Sequence, residues 1–75
     1  MSDLSEKVTT LSTAYLGPAA RVFLERQTKA HMDGLPLSSL ERKHLPELQK
    51  WVLVSASLVI DKHKAQELSE KISRL

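Results

Sequence analysis

Cysteine is absent from the 75 residues, so no disulfide and no thiolate zinc site can staple the chain. Glycine occurs only twice. The Gly17-Pro18 pair is no phosphate loop, because a P-loop needs two glycines followed by Lys-Ser/Thr. Aromatic residues make up 4%, which leaves no stacking platform for single-stranded nucleic acid. Asparagine, a common base-reading residue of recognition helices, is missing altogether. Charge of one sign is scarce too: 11 basic residues against 9 acidic give a net +2, with the two signs interspersed. The longest apolar stretch, Trp51 to Ile60, falls well short of the ~20 residues of a membrane span. No basic flank precedes an apolar run at Met1–Glu6, and no lipidation motif is visible. A soluble, cytoplasmic chain with no membrane contact is expected.

What remains is one domain, residues 1–75. A chain this short buries only about 60% of its unfolded surface. Ordering costs roughly 1.5 kcal/mol per residue, and apolar burial at about 25 cal/mol per Å² offsets little more than that. Dense helix packing or self-association must supply stability.

Apolar spacing predicts an all-α, compact bundle of four to five short helices. Leu4, Val8, Leu11 and Tyr15 recur at four, three and four, one stripe of an amphipathic helix with Ser2 or Asp3 as its cap. Gly17 ends it and Pro18 opens the next, which runs to about Met32 with Ala20, Phe23 and Leu24 on its apolar face. Leu35-Pro36-Leu37 reads as an extended connector. Ser38 and Glu41 fit a capping box for a short third helix through His44. Pro46 restarts the chain, and the apolar character of Trp51–Ile60 predicts a central helix touched on several sides. Opposite charges four apart, Glu25–Lys29, Glu67–Lys71 and Glu70–Arg74, add weak support.

The last segment is the most periodic. Ala65, Leu68, Ile72 and Leu75 repeat at three, four and three, and the same register runs back through Asp61 to Leu58, Val54 and Trp51. Residues 47–74 are therefore one long helix or two with Asp61 as N-cap. A continuous helix would be about 42 Å long in a globule of radius of gyration about 11 Å, which favours the break. This seam of Trp51, Val54, Leu58, Ala65, Leu68, Ile72 and Leu75 is the candidate partner-binding surface, with a second copy of the chain as the expected partner.

Sites for chemistry are not evident. His31, His44 and His63 lie on three different segments without metal-ligand spacing. No serine sits in a glycine-flanked elbow. The sequence predicts no catalysis, no cofactor, no metal and no small-molecule substrate. The alternative is a small DNA-binding domain of a regulator, using Arg42 and Lys43 with Lys62 and Lys64 as phosphate contacts.

The turn Tyr15-Leu16-Gly17-Pro18-Ala19-Ala20, followed by Leu37-x-x-Leu40 and a further apolar helix, resembles a small helical module of bacterial signalling proteins. That module stands at the ends of some serine/threonine kinases and forkhead-associated-domain proteins, where a Tyr-x-Gly-Pro-x-Ala turn opens a helix. The resemblance covers residues 11–60, and the connector Met32–Ser39, Pro46 and the C-terminal seam have no counterpart in it. It implies a non-catalytic accessory module working by protein–protein contact. Tyr15, Gly17, Pro18 and Ala20 would form its structural turn.

Overall fold

The computed structural model describes residues 3–75; Ser2, one of the two expected caps, lies outside them. Four α-helices follow one another: α1 (Asp3–Leu16), α2 (Ala20–His31), α3 (Leu45–Ala56) and α4 (Lys62–Ser73). Short 3-10 turns occupy Gly17–Ala19, Leu37–Ser39 and Arg42–His44, and the described residues contain no strand. The all-α expectation therefore holds. The radius of gyration is 10.8 Å.

Gly17 makes the first corner. Its φ of +66° is a conformation that costs other L-residues energy, and Pro18 supplies the fixed φ that starts the next turn. The chain reverses after α2 on Asp33 (φ 56°) and Gly34 (φ 71°). Asp is among the few residues besides Gly that tolerate this region.

The expected third helix is corrected. Ser38 and Glu41 do not frame an α-helix; two 3-10 turns stand in its place. Leu40 is extended, at φ −61° and ψ 132°, and separates them. Its side chain and that of Leu37 are buried as plugs under the bundle. The second turn is closed reciprocally: the His44 N–H donates to the Glu41 carbonyl at 2.9 Å, and the Glu41 N–H donates to His44 Nδ1 at 2.9 Å.

The helices pack in a ring, α1 on α2, α2 on α3, α3 on α4 and α4 back on α1. No helix is central. The apolar α3 buries Leu45, Leu48, Val52 and Ala56 but keeps an outer face, where Val54 is 54% exposed. The break at Asp61 is present, yet its carboxylate makes no capping bond; its carbonyl accepts from the Ala65 N–H at 2.9 Å.

The core draws on all four helices: Val8, Leu24, Leu48, Val52, Ala56, Ala65, Leu68 and Ile72 are fully buried. Each large member contributes about 1.5–3 kcal/mol of transfer free energy. Small residues let the helices approach: Ser5 and Ser12 on α1, Ala20 on α2 and Ser69 on α4 are also buried. On α1 the innermost line is thus Ser5, Val8 and Ser12, with Leu4, Leu11 and Tyr15 half-buried on its flanks.

Candidate functional site

The end of α3 winds tighter than an α-helix. The Ser57 N–H and Oγ donate to the Leu53 carbonyl at 3.2 and 2.6 Å. The Leu58 N–H donates to Ser55 at 3.2 Å, and the Val59 and Ile60 N–H groups both donate to Ala56 at 3.0 and 2.8 Å. With the backbone satisfied internally, the side chains carry no obligation to the core. Leu58 and Val59 project outward, 84% and 67% exposed, while Ile60 packs against the core.

A groove of about 590 Å³ lies beside these two side chains. One wall is the α1–α2 corner, with Tyr15, Leu16, Ala19, Val22 and Phe23; the other is the α3–α4 turn, with Ser55, Leu58, Val59 and Ile60. Val22 faces outward on α2, 52% exposed. A half-buried bond ties the walls: Ser55 Oγ donates to Gln27 Oε1 at 2.8 Å. Two smaller hollows continue the groove. Glu25, Lys29 and Ala30 extend it along α2 past Val22 and Arg26. Ala14, Lys64 and Glu67 extend it past Tyr15 and Ile60 towards α4. The result is an apolar floor between two ends that each carry both signs of charge.

The seam read from the sequence splits at the turn. Val54 and Leu58 are on the surface, and Leu58 forms the groove wall. Ala65, Leu68 and Ile72 are fully buried among the chain's own helices, so they offer nothing to a second chain. Leu75 packs half-buried on the same core. Trp51 is half-buried and does not line the groove. Its ring stacks on His31 at a centroid distance of 3.9 Å and 10°, with Lys50 Nζ 5.1 Å from its centroid. The assignment of Ala65, Leu68 and Ile72 to a partner surface is corrected. Of the turn residues, Tyr15 lines the groove, Gly17 and Pro18 make the corner, and Ala20 is buried.

The basic residues do not converge. The Arg42 guanidinium donates to the Leu75 main-chain oxygen, and Lys43 pairs with Glu41 at 3.7 Å. Lys62 and Lys64 sit in the first turn of α4, at its opposite end from Leu75 and so about 20 Å away at ~1.5 Å per residue. On the outer face of α4, Lys71 Nζ lies 5.3 Å from the Tyr15 ring centroid. A hydrogen bond with Tyr15, and its charge, hold the Lys71 pKa above the usual lysine value. Of the expected helix pairs, Glu67–Lys71 closes at 3.8 Å. Among the described residues no group of three or more His, Cys, Asp or Glu could hold a metal, and no helix is long and apolar enough to cross a membrane.

Val22, Phe23, Val59 and Ile60, which line the groove, were not singled out as site residues by sequence. Val22 does carry a signal: it lies off the Ala20–Leu24–Gln27 line of α2, an apolar residue on a polar face. Comparison with protein-family models, with curated proteins and with solved structures finds no match.

Proposed function

We propose that the chain is a non-catalytic protein–protein interaction module whose contact surface is the groove between the α1–α2 corner and the α3–α4 turn. The observation that supports the reading is the cluster of exposed apolar side chains there, Leu58, Val59 and Val22. Leaving large apolar groups in water on both rims of one concavity is a feature of contact surfaces. The charged groups around it are of mixed sign, and the two basic clusters stand apart, so no strip of like charge awaits a nucleic-acid backbone. The resemblance of the Tyr15–Ala20 turn adds the setting: an accessory module in cytoplasmic bacterial signalling, with the turn as one wall of the contact surface.

Selection of random displayed peptides against the chain tests this. Enriched sequences are expected to bind wild type and to lose binding to a Leu58→Asp, Val59→Asp variant that keeps its helical circular dichroism. Peptides that bind the variant equally well would place the contact surface elsewhere. A duplex DNA titration completes the test, because micromolar affinity that collapses with salt would overturn the reading.

A further inference from the structure

Given that the groove is a protein-contact surface, as proposed above, we infer that its occupant is a second copy of this chain, related by a two-fold axis, with each copy's Leu58 seated in the other's groove. A knob and a hole stand side by side on one face. Leu58, 84% exposed, forms the rim of a groove of about 590 Å³ whose other lining residues include Leu16, Ala19, Val22 and Phe23. A two-fold operation brings the knob of each copy over the hole of the other, since the same patch serves both partners. One contact then fills both grooves and removes both exposed leucines from water.

The charges suit this occupant. The α2 end of the groove carries Glu25, Arg26 and Lys29, and the α4 end carries Lys64 and Glu67. Each end contains both signs, so each presents a partner for the other and for itself: Glu25 for Lys64, Arg26 or Lys29 for Glu67. A polyanion, or a peptide of one charge sign, would meet like charge at both ends of the groove, at Glu25 and Glu67 or at Arg26, Lys29 and Lys64.

Sedimentation of the full chain across a concentration series is the first measurement. The mass is expected to move from one chain to two and no further, and Leu58→Asp is expected to weaken the dimer by about tenfold or more. Val59→Lys serves as a second variant, and circular dichroism establishes that both retain their helices. Because the chain has no cysteine, cross-linking locates the contact. Oxidising a mixture of Leu58→Cys and Ala19→Cys proteins is expected to give the mixed dimer in excess over either self-linked species. A chain that stays monomeric up to millimolar concentration overturns the dimer, whatever the displayed peptides do; peptides that still converge on the groove would leave the contact-surface reading standing with a different partner. Species larger than two, or a dimer indifferent to Leu58→Asp, overturn the two-fold pairing.

Discussion

The two halves of the heptad register on either side of Asp61 carry similar residues and meet opposite fates. Downstream, Ala65, Leu68 and Ile72 are fully buried; upstream, Val54 and Leu58 are more than half exposed. The difference lies in what surrounds each stripe. On α4 the apolar residues alternate with charged ones, Lys64, Glu67, Glu70 and Lys71, so one orientation alone keeps charge in water and the stripe inside. From Trp51 to Ile60 apolar residues occupy every position but Ser55 and Ser57, and burying one line necessarily strands another. Clean amphipathicity marks the element the chain uses for its own core. Apolar excess marks the one with surface to spare.

Leu68→Asp with Ile72→Asp should have the largest effect. From periodicity alone the pair is predicted to dissociate an oligomer and leave the other helices standing. The structure predicts the opposite, loss of the whole cooperative melt. Truncating one such residue to alanine already costs about 2–5 kcal/mol, against total stability of roughly 4–11 kcal/mol for a domain of this length at ~0.05–0.15 kcal/mol per residue. Two carboxylates there exceed what the fold can carry. Thermal circular dichroism decides it: a melting, helical double variant would mean that the α4 stripe is not the core.

Gly17→Val comes next, at about 1–3 kcal/mol. Apart from its chain neighbours, no atom stands within 4 Å of where a Cβ would be, so the cost is that of holding a β-branched residue at φ +66°. Gly17→Asn, which tolerates the left-handed region, should recover much of it. Equal denaturation midpoints for the two variants would show that space, not backbone conformation, matters at the corner that forms one wall of the groove.

Helix positions were legible because the punctuation is local. Gly17, Pro18, Gly34 and Pro46 act on their own residues, and the Asp61 break follows from length against the size of a 75-residue globule. Which face of each helix turns inward was less legible. Ser5, Ser12 and Thr28 are fully buried but give no hydrophobic signal, since small size rather than apolarity suits them to close helix approach. Thr28 Oγ1 is satisfied within its own helix, donating to the Glu25 carbonyl at 3.1 Å. The Ser38–His44 segment misled because Leu37 and Leu40 must both reach the core, and an extended residue between two tight turns delivers them where a regular helix does not. The groove was legible only in half: Tyr15 and Leu58 were marked by turn and register, whereas Val22 and Ile60 meet them through tertiary contact.

Ser55→Ala probes the bond between the two groove walls. The alanine leaves Gln27 Oε1 without the donor at 2.8 Å in a side chain only 6% exposed, a loss of about 1–2 kcal/mol in urea unfolding. Gln27→Leu with Ser55→Ala should restore part of it, because removing both partners leaves no polar group stranded. If the single variant is neutral, the walls are held by apolar contact alone.

Lys71 links the buried half of the register to the groove through Tyr15. Its pKa is raised in the folded chain, first by the hydrogen bond to Tyr15 and then by that group's charge. A raised lysine contributes stability that is fully present below the usual lysine range and is lost as pH rises through the raised value. The melting temperature should therefore fall more steeply above that range in wild type than in Lys71→Gln, with no difference between their slopes at neutral pH. Parallel slopes throughout would remove the Tyr15–Lys71 contact from the account. Lys71 is exposed, so the effect is small.

The smallest stability change is expected for the substitution most like the largest. Leu58→Asp makes the same chemical change as Leu68→Asp, ten residues earlier in the same register. Leu58 leaves 84% of its surface in water, and the turn around it is held by main-chain bonds to Ser55 and Ala56 that the side chain does not touch. Little apolar burial is lost, and the carboxylate keeps its hydration. The expected change is within about 0.5 kcal/mol, the range of ordinary surface substitutions. The measurement belongs at low concentration, where pairing between chains adds nothing to the melt. A loss of 2 kcal/mol or more, on the scale of about 2–5 kcal/mol for a core truncation, would mean that Leu58 is packed within its own chain. The turn would then belong to the core like α4, and the contrast between the two halves would disappear.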